Sequence, residues 1–394
     1  MTVLAIVFWI SAALIVYTHI GYPLLLWLLD KSGICSALAR ARRNRDGRAL
    51  ASASAMPGES PTELPSVSLI IAAFDEEEVI ADKVANALAL DYPRERLEVI
   101  VASDGSDDAT AERARDAGAD LVLDLPRAGK VAAQNAAAEK ASGEILAFSD
   151  ANSTWAPDAL LRLVEPFADP QVGYVCGQVR FTDATGENPE GAYWRYEMKV
   201  REMESGLAGV TAGNGAIYAV RGDAYIPLPP SGSHDLSFPF ALAKRGLRSL
   251  YAPGATAEEK MVPTLEGELA RKRRMMVGLW DIVIGEGMLR PRGYSPLYAF
   301  ELTSHRLLRY LTPFLHLLAF VANLLLLNQG WVYIVTYGAQ LAVIAAAILA
   351  GSFPIAPFRI ARYYAMTTLS IALGLWDRLR KGSPAAWEKA PGTR

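Results

Sequence analysis

The sequence predicts an α/β fold with a parallel β-sheet at its centre and apolar segments at both ends of the chain. Three short runs rich in Val, Ile and Leu each lead into an acid, namely Asp75, Asp104 and Asp150, and helix-like segments separate the runs. Parallel strands joined by helices form such a sheet, whose ligand crevice lies along the carboxyl ends of the strands. With 394 residues, of which 52% are hydrophobic, the chain has room for one large globular domain and accessory segments.

The overall composition excludes several classes of protein. A net charge of −3 argues against a general nucleic-acid-binding protein, so we expect no nucleic-acid partner. The two cysteines, Cys35 and Cys176, lie far apart and lack the spacing of metal ligands, and the four histidines form no cluster. Neither a disulfide framework nor a structural zinc site is therefore expected.

Residues 1–30 predict a transmembrane anchor, because the run from Val3 to Leu29 is long and apolar enough to span a bilayer. A cleaved signal peptide is the competing interpretation, but the apolar run is too long and no basic region precedes it. Residues 31–65 are basic and rich in Pro, Ser and Ala, which predicts a flexible linker. By the positive-inside rule this side is cytoplasmic. The bases are Lys31, Arg40, Arg42, Arg43, Arg45 and Arg48.

Residues 66–285 predict the globular domain, in which short apolar runs alternate with amphipathic segments. Pro157 suits the first residue of a helix, and a Gly-rich loop at 213–215 leads into a further strand. Predicted strands cover 67–74, 97–102, 121–125, 144–148, 172–181 and 247–251. Predicted helices cover 76–90, 109–117, 130–141, a segment from 157, 190–204, 236–245 and 266–281.

The C-terminal third predicts a return to the membrane. Residues 286–310 are expected to lie at the interface, and residues 311–350 to form two transmembrane helices at 311–327 and 331–350. The arginines outside this hairpin place both of its outer ends in the cytoplasm. Residues 351–394 predict an interfacial helix at 363–376 and a cytoplasmic tail. The flanking arginines are Arg306, Arg309, Arg359 and Arg362.

The three strand-end acids suit a nucleotide-sugar ligand. Its base and ribose need hydrogen-bond acceptors, and its diphosphate needs a divalent cation held by a few oxygen ligands. An isolated Asp at a strand end commonly caps a helix instead. Because Asp75, Asp104 and Asp150 end strands on the same edge, the series favours a binding site.

Two short motifs refine this hypothesis. Asp150 and Asn152, two residues apart at a strand end, can direct oxygens at one Mg²⁺ or Mn²⁺. Arg127 and Lys130 flank a glycine just before a helix, which is a suitable cradle for phosphate. A basic surface turn is the alternative interpretation of this second motif.

Two further groups are candidates for catalysis. Asp235 follows a flexible Ser-Gly-Ser stretch and opens a helix, so it can act as a base in the crevice or serve only as a helix cap. The helix with bases at 271–274 can supply charge to a leaving diphosphate. These bases can equally form a basic face at the membrane surface.

In this order and spacing, the motifs resemble those of the membrane-bound inverting glycosyltransferases of family 2. That family includes cellulose, chitin, hyaluronan and poly-N-acetylglucosamine synthases, and the likeness covers roughly residues 65–280. The matching stretches are Ala72–Glu77, Ser103–Thr110, Arg127–Lys130 with Asn135, Asp150–Asn152, His234–Leu236 and Arg271–Met275.

The resemblance implies a GT-A (Rossmann-like) fold and a role for each matching residue. Asp75 and Asp104 would hold the nucleoside, Asp150 with Asn152 would bind Mg²⁺ or Mn²⁺, and Asp235 would be the general base. The full donor-binding set is Ala73, Phe74, Asp75, Glu77, Asp104, Arg127, Lys130, Asp150 and Ala151. The diphosphate and acceptor set is Arg271, Arg274, Gly213, Asn214 and His234.

The chain also departs from the family pattern. His234 stands where the family has an acid before the base, and Met275 replaces a Trp that stacks on the acceptor in processive synthases. Only two C-terminal spans are also few for a wide export channel. We therefore expect transfer of one or a few sugars, with UDP as the carrier, to a lipid-linked or membrane-proximal acceptor.

Other functions stay open at this point. A processive polysaccharide synthase that extends and exports a β-linked glycan is the alternative within the family. A catalytically silent scaffold would not need Asp75, Asp104, Asp150 and Asp235, and a nucleotidyltransferase would carry a Gly-rich signature that is missing here. The expected partners are a nucleotide-sugar, a lipid-linked or glycan acceptor, and membrane lipids. The expected location is the inner (plasma) membrane of a bacterium, multi-pass, with the catalytic domain in the cytoplasm.

Overall fold

The structure is a computed structural model that describes residues 2–34, 63–182, 189–260, 265–353 and 355–382. Most of the predicted linker 31–65, with Cys35 and the bases from Arg40 to Arg48, lies outside the described residues. So do the last residues of the predicted tail.

The described residues contain a mixed eight-stranded sheet in the order β3-β2-β1-β4-β7-β6-β8-β5. The prediction of parallel strands is confirmed for β1 to β4. Beyond them the sheet is mixed, because β7 is antiparallel to both β4 and β6, whereas β6 and β8 are parallel. An apolar run predicts that a strand is buried on both faces and not the direction in which it runs. The strands are β1 Val67–Ala73, β2 Leu97–Asp104, β3 Leu121–Leu125, β4 Ile145–Asp150, β5 Thr154–Trp155, β6 Val172–Thr182, β7 Ile217–Arg221 and β8 Arg248–Lys260.

Eleven helices are described here, with short 3-10 turns left out. They are α1 Thr2–Lys31, α2 Ile80–Leu88, α3 Thr110–Asp116, α4 Lys130–Lys140, α5 Ala159–Val164, α6 Pro189–Leu207, α7 His234–Lys244, α8 Leu265–Ile284, α9 Pro296–Leu325, α10 Trp331–Leu349 and α11 Ala356–Lys381.

Several predicted boundaries move for identifiable reasons. Helix α2 begins at Ile80 rather than at residue 76, because the backbone N–H groups of Glu76 and Glu77 donate to Thr110 Oγ1 and Asp108 Oδ2 on the neighbouring loop. Helix α5 begins at Ala159, after Pro157, instead of at the proline. Strand β8 is much longer than predicted, because beyond residue 251 it still pairs with β6 and then with β5.

Alternate residues of β1 face the two sides of the sheet, as the period of a strand requires. Leu69 and Ile71 pack with α2, α3 and α5 on one face. Ile70 packs with α4 and α7 on the other face. Helices thus cover both faces, and the carboxyl ends of β2, β1 and β4 lie side by side along one edge.

Three of the described helices, α1, α9 and α10, are long and apolar enough to cross a membrane. Helix α9 is continuous from residue 296, so the predicted boundary at residue 310 falls inside it. Helix α11 extends well beyond the predicted 363–376 and is not among the candidate spans. A π-turn interrupts α1 at Tyr17–Gly21 and another interrupts α9 at Leu302–Leu307. The hydroxyls of Tyr17 and Ser304 join these two turns at 2.9 Å.

A buried polar cluster joins the globular domain to α1 and α9, two of the candidate membrane spans. Glu204 on α6 is fully buried and accepts hydrogen bonds from Tyr22 Oη on α1 at 2.8 Å and from Thr211 Oγ1 at 3.0 Å. His305 Nδ1 on α9 lies 2.7 Å from the same carboxylate. Burial alone would raise the pKa of Glu204, but the charge and hydrogen bond of His305 outweigh burial and lower it.

Replacing Glu204 by Ala is expected to destabilise the folded protein by about 3 to 5 kcal/mol, because the partners of a buried carboxylate are left without compensation. Thermal unfolding in detergent measures the loss. Glu202→Ala on the same helix is the control, since Glu202 is half exposed in an ion pair with Lys199 and should cost no more than about 1 kcal/mol. Equal losses of stability in the two variants would mean that the cluster does not stabilise the contact between the globular domain and helices α1 and α9.

Candidate active site

Lys130 and Asp150 form an ion pair where β4 ends and α4 begins. Burial alone would lower the pKa of Lys130, but the charge of Asp150 and their hydrogen bond outweigh it, so the pKa is raised. Gly215 lies against this pair, since a Cβ at that position would be 3.5 Å from Lys130 Nζ and 3.9 Å from Asp150 Oδ2. The site therefore combines the carboxylate of Asp150, the ammonium of Lys130 and, at Gly215, backbone that no side chain covers.

Two residues of α2 hold the turn that follows Asp150. Lys83 Nζ donates to Ser153 O at 2.7 Å, and the amide of Asn86 exchanges two hydrogen bonds of 2.9 Å with the backbone of Trp155. Burial lowers the pKa of Lys83 to about 7. Neither residue was predicted. A lysine on the apolar face of an amphipathic helix was the available signal.

Asp104, at the end of β2, holds the loop before α4. It is 1% exposed, and its carboxylate accepts from the backbone N–H of Ala128 at 2.7 Å and of Gly129 at 3.0 Å. Arg127 lies 3.7 Å from the same carboxylate and stacks on the ring of Phe74. Asp104 thus fixes the loop before α4, and the expected contact of Asp104 with a nucleoside stays a prediction.

Asp75 follows β1 in a strained backbone conformation with φ of +48°, which is uncommon outside glycine. Its backbone N–H donates to Ser106 Oγ at 3.0 Å, and its Oδ1 accepts from Asp107 N at 2.9 Å. Glu77, two residues on, pairs with Arg113 on the surface. Strain of this kind is concentrated at ligand sites, which supports Asp75 as a binding residue more than Glu77.

A cavity of about 670 Å³ extends from the end of β4 to the membrane helices. Of the predicted site residues, it is lined by Lys130, Asp150, Gly213, Asn214, His234 and Asp235. Others lie around the ends of β1 and β2 or just after β4 and do not line it, namely Ala73, Phe74, Asp75, Glu77, Asp104, Arg127, Ala151 and Asn152.

The Gly213-Asn-Gly215 loop frames the cavity. A Cβ at Gly213 would lie 1.9 Å from Tyr174 Oη, so only glycine fits. The side chain of Asn214 is buried, donating to Gly177 O at 2.6 Å and accepting from Ile217 N at 3.0 Å. Both ends of the Asn214 amide hold the loop, and the expected contact of Asn214 with a diphosphate or acceptor stays a prediction.

Asp235 is the second residue of α7 and is half-buried in the cavity wall. Ser233, not Asp235, occupies the N-cap position, so the helix-cap alternative is wrong. The side chain of Asp235 accepts a hydrogen bond from Ser233 Oγ, and its backbone oxygen accepts from Gly213 N at 2.6 Å. Its carboxylate thus shares one cavity with Lys130 and Asp150.

His234 carries a neutral imidazole with an assigned tautomer. Tyr218 Oη accepts from Gln134 Nε2 at 3.1 Å and lies 2.7 Å from His234 Nδ1, so the tyrosine proton goes to Nδ1 and the imidazole proton stays on Nε2. His234 is 4% exposed, and its Nε2 has no hydrogen-bond partner within the described part of the chain. Burial, together with the charge of Lys130, lowers its pKa to about 3.

His234→Gln is expected to change how stability depends on pH. The pKa of His234 is about 3 in the folded protein and 6.5 in the unfolded chain, so folding favours the neutral ring. The stability that this group contributes is complete above pH 6.5 and is lost as the pH falls towards 3. Melting temperatures measured across that window should fall more steeply for the wild type than for the variant. If melting temperature changed with pH in the same way in both proteins, the lowered pKa of His234 would be contradicted.

Two predicted residues cannot be placed in the site. Arg271 and Arg274 belong to α8, but their side chains lie outside the described residues. Met275, next to them, lines the cavity at the position where processive synthases have a Trp. Residues that the sequence hypothesis missed also line it, above all Arg201 on α6, Tyr218 on β7 and Glu259 on β8.

The residues present suit a divalent cation to which water and substrate supply most of the ligands. No cluster of three His, Cys, Asp or Glu side chains able to hold a metal occurs within the described ranges. Asp150, with Asn152 two residues on, offers one carboxylate and one amide at a strand end. Mg²⁺ and Mn²⁺ accept such a site when phosphate oxygens and water complete the shell.

Comparison with known proteins supports the family resemblance found in the sequence. Residues 68–225 match the sequence profile described as "Glycosyl transferase family 2". An N-acetylglucosaminyltransferase of Rhizobium meliloti (strain 1021) is 27% identical over 60% of this chain and 61% of its own length. A poly-β-1,6-N-acetyl-D-glucosamine synthase of Staphylococcus aureus (strain COL) is 33% identical over 32% of this chain and 31% of its own. The chain thus spans about three-fifths of the first relative and a third of the second.

One solved structure matches nearly the whole chain. The mannosyltransferase PcManGT from Pyrobaculum calidifontis, in complex with GDP-Man and Mn²⁺, has a TM-score of 0.69 and 25% sequence identity. The match covers 95% of this chain and 99% of the mannosyltransferase. The predicted GT-A fold with apolar helices at both ends is confirmed.

Proposed function

We propose that the protein is a membrane-bound, metal-dependent inverting hexosyltransferase, because residues 68–225 match the glycosyltransferase family 2 profile. It moves a sugar from a nucleotide-sugar to a lipid-linked or membrane-proximal acceptor. The observation that carries the proposal is the cavity, since one continuous space joins Lys130, Asp150 and Asp235 to α8, α9 and α11. A donor can enter at the edge of the sheet, and a lipid can enter from the membrane side.

The donor site lies along the strand ends. Asp75 and the loop that Asp104 and Arg127 hold in place would bind the nucleoside. Asp150 and Asn152 would hold Mg²⁺ or Mn²⁺, which when bound offsets the negative charge of the diphosphate. Lys130 adds a positive charge beside Asp150, where charge develops on the departing nucleoside diphosphate.

Asp235 would act as the general base. Its carboxylate takes the proton of the acceptor hydroxyl while that oxygen attacks the anomeric carbon opposite the diphosphate. The bond to the diphosphate breaks in the same step, so an α-linked donor gives a β-linked product. The neutral His234 would donate from Nε2 to an oxygen of a bound sugar, a contact that an ionised acid could not make.

The relatives guide the choice of donor. Two of them are named for N-acetylglucosamine, and the matching mannosyltransferase structure holds GDP-Man. UDP-N-acetylglucosamine is therefore the first donor to test, with other UDP-, GDP- and TDP-sugars beside it. The assay is release of nucleoside diphosphate by purified protein with Mg²⁺ or Mn²⁺, in the presence and absence of membrane lipid extract. Release that needs both one donor and the lipid fraction supports the proposal, and no release from any donor contradicts it.

A processive polysaccharide synthase is the second candidate, which the name of the Staphylococcus aureus relative favours. Met275 in place of an acceptor-stacking Trp speaks for short products instead. Labelled product analysed over time separates the two functions: a single added sugar fits the first, and a ladder that lengthens fits the second.

We also propose that the globular domain lies in the cytoplasm beneath the inner membrane. The bases in 31–65 and the arginines beside α9 and α11 support this orientation. A cysteine introduced at Gln329, between α9 and α10, should then react with a membrane-impermeant thiol reagent added outside intact cells. Reaction only after lysis would reverse the orientation.

A further inference from the structure

Arg306 is a buried cation whose terminal nitrogens have no partner in the described part of the chain. It lies in the π-turn of α9, is 9% exposed, and lines the cavity. Its Nε donates to Thr211 Oγ1 at 3.0 Å, and no described carboxylate lies within ion-pair distance. Its neighbour Arg309, in contrast, pairs with Glu197 at 2.5 Å.

Arg201 on α6 lines the same cavity with a second incompletely used guanidinium. It is 4% exposed, and its Nη2 donates to Gly213 O at 2.8 Å, whereas its Nε has no hydrogen-bond partner among the residues described. Arg201 and Arg306 are thus fixed to backbone and side-chain atoms of one short stretch, Thr211 and Gly213. Because Gly213 N donates to the backbone oxygen of Asp235 at 2.6 Å, this stretch continues directly to the proposed base.

Part of the cavity wall on α8 and α11 is apolar, beside polar residues such as Lys272, Thr367 and Ser370. Met276, Leu279 and Ile282 of α8 line it, with Ile371 of α11. The cavity wall therefore includes Asp235, the two arginines, and apolar side chains from α8 and α11. A lipid-linked sugar has parts that suit these three kinds of lining: a hydroxyl to be activated, an anionic linkage and a hydrocarbon tail.

A buried guanidinium with unused N–H groups is costly, and a phosphate oxygen is the acceptor that its planar fork fits best. We propose that Arg306 and Arg201 bind the phosphate or diphosphate that joins the lipid to the acceptor sugar. This inference rests on the proposed transfer to a lipid-linked acceptor and names the class of that acceptor. The phosphate that the arginines bind would belong to the acceptor itself. It would not come from an anionic lipid lying beside a neutral glycolipid acceptor.

The test compares acceptors that differ only in the linkage. Purified full-length protein is assayed with one donor and three acceptors: a polyprenyl diphosphate-linked sugar, a polyprenyl phosphate-linked sugar, and the same sugar on a neutral alkyl chain. The wild type should have a KM about 10- to 100-fold lower for one of the charged acceptors than for the neutral one, the effect of one or two charge-assisted hydrogen bonds. The better of the two charged acceptors identifies the linkage. Equal KM values for all three would overturn the proposal.

Arg306→Gln should remove most of this preference by raising the KM for the charged acceptor, while the KM for the neutral acceptor stays the same. Arg306→Lys keeps the charge without the planar fork and should fall between the two. Arg162→Gln is the matched control, since Arg162 is an exposed arginine on α5 in a surface pair with Asp158. If Arg306→Gln weakened binding of the nucleotide-sugar instead, the arginine would belong to the donor site and the proposal would be wrong.

The outcomes also separate this inference from the proposed function. Transfer to none of the lipids, charged or neutral, contradicts the proposed function itself. Transfer to the neutral lipid as readily as to the charged ones leaves the glycosyltransferase in place and overturns only the phosphate site. Should Arg306→Gln not fold, the wild-type acceptor series and Arg306→Lys still decide the question.

Discussion

Asp235→Asn is expected to lower kcat for sugar transfer about 100- to 10,000-fold, the range that a positioned general base contributes. The amide has the shape of the carboxylate but cannot take the proton of the acceptor hydroxyl. The backbone contact between Asp235 O and Gly213 N does not depend on the side chain, so the cavity wall should stay intact. Turnover and the Kd of the nucleotide-sugar are measured together, and the Kd should change little.

Asp223→Asn is a suitable control, because Asp223 is an exposed acid just after β7 and outside the cavity. It should behave like the wild type in both measurements. Wild-type turnover in Asp235→Asn would remove Asp235 from the role of base. A parallel fall in donor affinity would instead assign Asp235 to the donor site.

Asp150→Ala is expected to abolish metal-dependent binding of the donor, with a loss of transfer of the order of 1,000-fold. Asp150 supplies the carboxylate at the end of β4, and Lys130 loses its ion-pair partner at the same time. Asp235 and Glu259 still attract the ammonium of Lys130, so its positive charge beside the diphosphate is retained in the variant. Calorimetric titration of nucleoside diphosphate in the presence and absence of Mn²⁺ measures the first effect.

Two comparisons make the Asp150 experiment specific. Asp158→Ala removes a half-exposed acid a few residues further along the chain and should leave Mn²⁺-dependent binding unchanged. Lys130→Met in the Asp150→Ala background tests the coupling, because the second change should cost little once the pair is broken. Nucleotide binding in Asp150→Ala that still depends on Mn²⁺ to the wild-type extent would place the metal elsewhere.

The sequence was sufficient to predict the part of the fold that carries the donor site. Strands β1 to β4 are short, apolar and separated by amphipathic helices, and this pattern specifies a parallel sheet whose strands end on one edge. Asp75, Asp104 and Asp150 lie on that edge, as predicted. Local patterns could indicate where these acids lie, but not which of them is already occupied by backbone, as Asp104 is.

The residues that complete the cavity come from distant parts of the chain, and for them no local pattern was sufficient. Arg306 and Arg309 were interpreted as charges that mark a cytoplasmic helix end, yet both line the cavity and Arg309 pairs with Glu197. A charged residue inside a membrane-helix region is commonly functional, which was the overlooked signal. The buried amide of Asn214 likewise depends on a contact with β6 that only the folded sheet creates.

The cluster around Glu204 has a consequence for biosynthesis. Its members lie on α1, on α6 in the middle of the chain, and on α9, which is synthesised much later. The contacts of Glu204 with Tyr22 and His305 are therefore complete only after α9 has been made. The globular domain can close its sheet during that interval, but the acids of α6 remain without their cationic partners until α9 arrives. The protein therefore reaches its final state only when both α1 and α9 have been synthesised, and a globular domain without these helices would carry the acids of α6 uncompensated.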